Sequence, residues 1–215
     1  ELSLAHNGIL FLDEFAEFPR HVLEMIRQPL EERKVTISRA RGSISFPANF
    51  MLVAATNPCP CGYFGSAQKK CKCSPNQIER YLAKISGPML DRIDIHIDVP
   101  NVAFTKLRSK EQSATSAETR EKVIKARDIQ RKRFGEKRTT TNATMTHRQV
   151  TKFCVLDEAA EMVLKNAMLE FGLSGRAHDK ICKVARTIAD LAGEENISAE
   201  HIAEAVSYRK LDRAL

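Results

Sequence analysis

The sequence predicts an α/β fold in which a parallel sheet with helices is followed by an α-helical C-terminal domain. Two apolar segments, 8–15 and 50–56, each end in polar residues, which is typical of strands buried on both faces of a parallel sheet. Residues 151–215 instead show helical periodicity between glycines. The 215 residues, 43% of them hydrophobic, are enough to form a packed core in one large domain or two small ones.

The segment between the two predicted strands contains a helix and a hairpin. Apolar residues at helical intervals predict a helix over 20–32, which Pro29 closes or kinks. Alternating residues on both sides of Gly42 predict two short antiparallel strands joined by a tight turn. The hairpin is therefore an insert between the strands of the parallel sheet.

Two further features complete the predicted α/β domain, which we place at residues 1–100. Residues 58–76 combine four cysteines with proline, glycine and lysine and have no period, so we expect an ordered insertion outside the sheet. Residues 93–99 alternate isoleucine or valine with polar residues, which predicts another strand of the sheet.

The remainder of the chain is predicted to be helical. Residues 101–150 are interpreted as a basic connector that contains a helix near 114–134. Residues 151–215 are interpreted as a small helical domain, in which Ser198 is the predicted N-cap of the last helix. The three helices predicted in this domain cover residues 155–171, 176–192 and 198–210.

The net charge of +7 is concentrated in the connector. Residues 1–100 contain 12 basic and 11 acidic side chains, residues 101–150 contain 13 and 5, and residues 151–215 contain 9 and 11. The connector therefore has a net charge of +8. Such a segment is either a solvated helix or a surface that contacts a polyanion such as DNA, and the sequence leaves both interpretations open.

The sequence contains no candidate membrane span and no signal peptide. No apolar run approaches the roughly 18 to 20 residues that cross a bilayer. The first 20 residues contain Asp13, Glu14 and Glu17 where a signal peptide would have a basic segment and a cleavage site. We therefore expect a soluble protein of the cytoplasm with no membrane partner.

Polar residues at the two predicted strand ends indicate phosphate chemistry. Asp13 and Glu14 end the first apolar segment, and Asn57 follows the second. One carboxylate of such a pair holds Mg²⁺ through water while its neighbour polarises the attacking water. A nearby amide such as that of Asn57 is suited to orienting the same water. The three residues are therefore candidate catalytic residues.

Four cysteines of the insertion form a candidate metal site. Cys59 and Cys61 are separated by one residue, as are Cys71 and Cys73, and four thiolates are enough for one tetrahedral Zn²⁺. The usual spacer between such ligands has two residues, so reduced free thiols and disulfides are the alternatives. The other two cysteines, Cys154 and Cys182, lie in helical apolar patterns and are interpreted as core residues.

Several motifs resemble those of AAA+ ATPases. GILFLDEF is similar to a Walker B strand, AATNP to a sensor 1 strand, and SGPMLDRIDIHIDVP to the segment that carries an arginine finger. LAHNGILFLDEF, RQPLEERKVTISRA, NPCPCGY and LSGRAHDKICKVARTIADL resemble, more specifically, magnesium chelatase-like proteins of the ComM/YifB type. The resemblance implies a partial AAA+ P-loop NTPase core, with a β-hairpin insert, followed by an α-helical lid.

The resemblance also implies roles for individual residues. It makes Asp13 the Walker B ligand of Mg²⁺, Glu14 the catalytic glutamate and Asn57 the sensor 1 residue. Arg92 resembles the arginine finger offered to a neighbouring subunit, and Arg176 resembles the sensor 2 arginine of the lid. A guanidinium suits this chemistry because it is permanently charged and forked. For each arginine considered alone, a surface salt bridge is the simpler interpretation.

The chain departs from the family pattern in one respect. None of its nine glycines is followed by lysine, so the G-x-x-x-x-G-K-[ST] loop that cradles phosphates is missing. We therefore expect the chain to be the C-terminal part of a longer protein and to be inactive by itself. The full-length protein is expected to use ATP and Mg²⁺ in a homo-oligomeric ring, as a hexamer, to remodel DNA.

Two alternatives to this motor stay open. The first is a non-hydrolysing regulatory module that binds zinc and DNA through the cysteine insertion and the basic helix. The second, which the cysteine insertion disfavours, is the motor subunit of a metal chelatase for tetrapyrroles.

Overall fold

The computed structural model describes residues 1–40, 42–66, 69–99, 114–135 and 140–209. Within these residues the chain forms two compact units. The first contains residues 1–93 and Val99, and the second contains residues 94–98 and the described residues from 114 onward. Helices are combined with a parallel strand pair, so the predicted α/β class is confirmed. The finer division into a partial nucleotide-binding core, a connector and a lid stays a prediction.

The first unit contains the strands that the structure describes, in two separate sheets. β1 and β4 pair in parallel, with Leu12 opposite Ala54, as the two apolar segments predicted. The pairing continues past the strand ends, because the Ala55 amide donates to the Leu12 carbonyl and the Phe15 amide donates to the Ala55 carbonyl. The four strands are β1 (Ile9–Leu12), β2 (Lys34–Arg39), β3 (Gly42–Pro47) and β4 (Met51–Ala54).

A helix and the hairpin lie between β1 and β4 in the sequence. Helix α1 (Arg20–Glu32) contains Pro29 and continues to Glu32, so the proline does not end it. The chain then turns at Arg33, whose φ is 56°, and enters the antiparallel pair of β2 and β3. Hydroxyl groups line one face of this hairpin, where the side-chain oxygen atoms of Thr36 and Ser45 are 2.8 Å apart. The predicted hairpin insert is confirmed.

The predicted strand at 93–99 is wrong within the described residues. The cysteine segment is followed by helices α2 (Pro75–Leu82) and α3 (Gly87–Leu90), but residues 93–99 form no strand. A strand needs a neighbouring strand for its backbone groups. The amide of His96 instead donates to the carbonyl of Tyr208, and the alternating residues Ile95 and Ile97 are exposed.

The second unit is helical. Ser198 caps the last helix, as predicted, by accepting a hydrogen bond from the His201 amide. The helix at 147–153 was not predicted, although Thr146 and Gln149 form the capping box that begins it. No helix among the described residues is long and apolar enough to cross a membrane. The helices are α4 (Ser116–Phe134), α5 (His147–Phe153), α6 (Glu158–Phe171), α7 (Gly175–Ala192) and α8 (Ala199–Ser207).

Small and aliphatic side chains from α5 to α8 form the core of the second unit. Cys154 and Cys182 lie in this core, so their predicted structural role is confirmed. Burial raises the pKa of the Cys154 thiol to about 11 and that of the Cys182 thiol to about 12. Both cysteines are therefore protonated and unreactive at neutral pH.

A buried carboxylate joins α4 to α7. The side chain of Asp190 is fully buried and accepts two hydrogen bonds from Arg133 at the end of α4. It also accepts hydrogen bonds from Arg186 at 3.1 Å and from Asn142 at 2.7 Å. The carboxyl end of the basic helix is therefore part of the second unit, and Arg133 is not available to a partner.

Candidate nucleotide site and cysteine cluster

Asp13 and Glu14 follow β1 in an unusual backbone turn. Glu14 has φ 50° and ψ 42°, a left-handed conformation that costs a residue other than glycine about 1–3 kcal/mol. Its amide donates to the Asp13 carboxylate at 2.8 Å, and both side chains are exposed. Strained residues of this kind cluster at functional sites, where surrounding contacts maintain them.

Asn57 lies at the same edge of the parallel pair. It follows β4 by three residues, and Phe15, next to Glu14, is joined to Ala55 by a backbone hydrogen bond of 2.8 Å. The Asn57 side chain is exposed, and the backbone of Gly62 lies beside it. The carboxyl ends of parallel strands are the usual location of ligand sites in α/β folds. The structure therefore brings the three predicted residues to one sheet edge.

The oxygen atoms at this edge fit a magnesium site. Carboxylate and amide oxygens are the ligands that Mg²⁺ prefers, and Mg²⁺ is usually bound through one or two carboxylates, water and phosphate oxygens. Exposed carboxylates leave room for those waters and for a nucleotide. Asp13 is the first ligand candidate, and Glu14 and Asn57 are free to face the same water.

The two arginines lie in different units. Arg92 follows α3 in the first unit, where its Nη1 donates to the Pro88 carbonyl at 2.6 Å and its Nη2 pairs with Glu31 at 2.9 Å. Only 13% of the Arg92 side chain is exposed. Arg176 is the second residue of α7 and is exposed. The sequence did not indicate the pairing of Arg92 with Glu31.

The four cysteines of the insertion converge. Their sulfur atoms all lie within 4.8 Å of one another, although the two pairs are separated by nine residues. The Sγ atom of Cys61 is 3.4 Å from that of Cys59 and 3.5 Å from that of Cys71. All four thiols are free, so no disulfide forms among them. This cluster could hold a metal ion.

Backbone amides and burial set the charge of the cluster. Hydrogen bonds from the amides of Lys72 and Tyr63 lower the pKa of the Cys61 thiol to about 6. Although the Cys73 amide donates to Cys71, burial and the neighbouring thiols raise the pKa of Cys71 to about 12. Burial likewise raises the pKa of Cys73. Four neighbouring sulfur atoms therefore resist ionising together unless a cation offsets their charge.

Sequence reasoning missed a buried tyrosine behind the sheet edge. Tyr81 on α2 is 4% exposed, and its phenol hydrogen-bonds Thr56 and Glu17. Burial raises the pKa of this phenol, and the hydrogen bond to Glu17 adds to the increase. Lys84 pairs with the same glutamate at 3.2 Å. The only sequence signal was an aromatic residue at a helical spacing from Ile78 and Ile85.

The basic helix α4 presents a row of exposed lysines. Lys125 is three positions after Lys122, and Lys132 is seven positions after Lys125, which places the three lysines on one face of the helix. Arg131 lies on another face and pairs with Asp128. Arg133 is only partly exposed and pairs with the buried Asp190. Arg133 is therefore not part of the exposed positive surface of α4.

Comparison with known proteins places both units in one family. Residues 1–107 match the family described as "Magnesium chelatase, subunit ChlI", and residues 113–209 match its C-terminal family. The competence protein ComM of Haemophilus influenzae is 46% identical over 216 residues, which cover 100% of this chain and 41% of ComM. The uncharacterized protein YifB of Salmonella typhimurium is 42% identical over 218 residues, which cover 100% of this chain and 42% of YifB.

A more distant relative is a named chelatase subunit. The chloroplastic magnesium-chelatase subunit ChlI of Glycine max is 22% identical over 208 residues, which cover 95% of this chain and 43% of that subunit. The chain thus spans about two fifths of the length of the curated relatives that it matches. It belongs to the magnesium chelatase-like family, as a protein of the ComM/YifB type.

Proposed function

We propose that this chain is the part of a ring-forming AAA+ ATPase that carries the catalytic acids, and that the full-length protein couples ATP hydrolysis to DNA remodelling. One observation carries the proposal. The paired ends of β1 and β4 bring Asp13, Glu14 and Asn57 to one sheet edge, and Glu14 has a strained backbone there. Family membership supports the same chemistry.

Each residue has a defined task in this proposal. Asp13 would hold the magnesium ion that accompanies the nucleotide, which when bound would supply positive charge to the phosphates. Glu14 accepts a proton from the attacking water, and Asn57 orients that water. The family resemblance implies these tasks, and the residue types suit them, because carboxylates accept protons and ligate Mg²⁺ while an amide donates and accepts hydrogen bonds.

The two arginines would stabilise the charge that develops on the nucleotide. We propose that Arg92 acts on the nucleotide of a neighbouring subunit in a hexameric ring and that Arg176 acts within its own subunit. Arg92 is already paired with Glu31, so its action requires that phosphate replace the carboxylate as its partner. A bidentate guanidinium suits that exchange because carboxylate and phosphate present similar oxygen pairs.

An ATPase assay on the full-length protein, with no DNA and with single-stranded, duplex and branched DNA, tests the proposal. We expect turnover that DNA stimulates. The 215-residue chain alone is expected to show none, because no G-x-x-x-x-G-K-[ST] loop occurs in it. The expected location is the cytoplasm, a reducing compartment in which the free thiols of the insertion persist.

A non-hydrolysing module that binds zinc and DNA is the second candidate, and the cysteine cluster is the observation that favours it. The same assay separates the candidates, because a full-length protein without turnover under every condition would support the module. A tetrapyrrole chelatase motor has less support, since identity to the named chelatase subunit is 22% against 46% for ComM.

The exposed lysines of α4 are the proposed DNA contact. Phosphate contacts by lysine release counterions, so the logarithm of affinity falls linearly with the logarithm of salt concentration, by about 0.9 per phosphate. Replacing Lys122, Lys125 and Lys132 with Gln in the full-length protein should therefore flatten the slope by up to about three units. A salt titration of binding to labelled DNA measures this slope for the wild type and the variant.

The control for this titration removes the same charge elsewhere. Arg148, Lys152 and Lys165 are exposed on α5 and α6, and their replacement with Gln should leave more of the slope intact. Equal slopes for both triple variants would contradict a DNA contact at α4. Arg133 is left unchanged in both variants because its loss would disrupt the second unit.

A further inference from the structure

We infer that the cysteine cluster binds one Zn²⁺ per chain and that this ion positions Asn57 at the sheet edge. The cluster would then be a metal-dependent support of the catalytic site in addition to an ordered insertion. The part of this inference that concerns Asn57 rests on the proposed ATPase function, whereas zinc binding does not.

The distances among three of the four sulfur atoms are close to those of a zinc tetrathiolate, and the fourth lies within 4.8 Å of them. A Zn–S bond is about 2.3 Å, so the edge of a regular ZnS₄ tetrahedron is about 3.8 Å. The Sγ atom of Cys59 lies 3.4 Å from that of Cys61 and 3.7 Å from that of Cys71, and Cys61 and Cys71 are 3.5 Å apart. The cluster is therefore already close to the size that the ion requires.

The surroundings of the sulfur atoms also suit zinc. The Cys73 amide points at the Cys71 sulfur from 3.4 Å, and the amides of Tyr63 and Lys72 point at Cys61. Amide groups that donate to metal-bound thiolates offset their charge and fix their orientation. A tetrathiolate site has a net charge of −2, and three lysines lie beside the ligands in the sequence, at positions 69, 70 and 72.

The amino-terminal end of the cluster supports Asn57 directly. Cys59, the only fully buried ligand, follows Asn57 by two residues. The Gly62 amide donates to the Cys59 carbonyl at 2.9 Å, and the Gly62 backbone lies near the Asn57 side chain. A Cβ atom at Gly62 would lie 3.7 Å from Asn57 Oδ1. Fixing the Cys59 and Cys61 sulfur atoms on one ion would therefore fix the backbone that lies beside the Asn57 side chain.

The carboxyl-terminal end supports the same sheet edge through α2. Cys73 precedes Ser74, which begins α2 with a capping box completed by Gln77. From this helix, Tyr81 hydrogen-bonds Thr56, the residue before Asn57. The segment from 58 to 74 is thus attached to the strand end on both sides. Without a metal, the two cysteine pairs are joined to each other by weak sulfur contacts, such as those between Cys71 and the sulfur atoms of Cys59 and Cys61.

The first measurement uses the reduced 215-residue chain. We expect one zinc per chain by elemental analysis, and Co²⁺ in its place should give the visible absorption of a tetrahedral thiolate site. Removing the metal with a chelator should accelerate hydrogen exchange at the Ala55 and Gly62 amides by about tenfold or more, and Zn²⁺ should reverse it. Amides of α6 should not change. Cys71→Ser should reproduce the chelated state, whereas Cys154→Ala should behave as wild type.

The second measurement connects the cluster to catalysis. In the full-length protein, Cys71→Ser should lower kcat and leave the KM for ATP within about twofold. The same substitution made in an Asn57→Ala background should lower kcat no further, because the residue that the cluster positions is already gone. A purely structural insertion would give additive losses.

Three outcomes would overturn the inference. These are a reduced chain without bound metal, bound zinc whose removal leaves exchange at Ala55 and Gly62 unchanged, and additive losses of kcat in the double variant. None of them bears on the proposed ATPase function, because that function depends on Glu14 and is tested by substituting it.

Discussion

Glu14→Gln in the full-length protein is expected to lower the kcat for ATP hydrolysis by about 10²- to 10⁴-fold, the range that a positioned general base contributes. Glutamine has the shape of glutamate but cannot accept a proton from water at neutral pH. The affinity for Mg-ATP should change by less than about threefold, since Asp13 and the phosphate-binding loop are intact. Steady-state turnover and binding of a fluorescent nucleotide measure the two quantities.

The control substitution is Glu32→Gln at the end of α1. Like Glu14, Glu32 is exposed, but it is distant in the chain from the residues of the sheet edge. Its carboxylate lies 3.6 Å from the Lys34 ammonium group. Its loss should leave turnover within about twofold of wild type. If Glu14→Gln hydrolysed ATP at the rate of the Glu32→Gln variant, Glu14 would not be the catalytic base.

Asp190→Asn is expected to destabilise the second unit by about 3–5 kcal/mol, the usual cost of removing one partner of a buried ion pair. The carboxylate is fully buried and accepts hydrogen bonds from Arg133, Arg186 and Asn142. The substitution leaves two arginines close together in the interior without a counter-charge. Urea unfolding of the chain, followed by circular dichroism of the helices, measures the change in the free energy of unfolding.

Asp128→Asn is the matched control for this experiment. Asp128 also pairs with an arginine of α4, at 2.7 Å from Arg131, but both side chains are more than half exposed. Exposed ion pairs contribute about 0–1 kcal/mol, so the unfolding curve should shift little. Equal changes in the free energy of unfolding for the two variants would show that the buried carboxylate contributes no more to stability than the exposed one.

The sequence alone predicted the elements that depend on local patterns. Apolar segments ending in polar residues predicted β1 and β4, and alternation around Gly42 predicted the hairpin. Helical spacing between glycines predicted α7, and helical spacing with Ser198 as the N-cap predicted α8, both to within a few residues. These predictions succeeded because strand and helix periodicities and N-caps are properties of neighbouring residues.

The prediction of a strand at 93–99 was wrong because a strand also depends on residues that are not its neighbours in the sequence. Its alternation is real, but a strand forms only where another strand accepts its hydrogen bonds, and no described strand pairs with it. Helix α5 was missed because it is only seven residues long, which is too short to show a recognisable apolar periodicity.

Motifs named the candidate catalytic residues, and the tertiary structure decided which groups surround them. Asp13, Glu14 and Asn57 were recognisable from strand-end positions and family resemblance, since each of the two motifs that contain them spans only a few residues. The partners of Arg92 and Arg133 were not, because Glu31 and Asp190 are about 60 residues away in the sequence. The four cysteines identified a metal-site composition, but only folding brought their sulfur atoms within 4.8 Å. Ion pairs and metal sites depend on distances between remote residues, which no local pattern encodes.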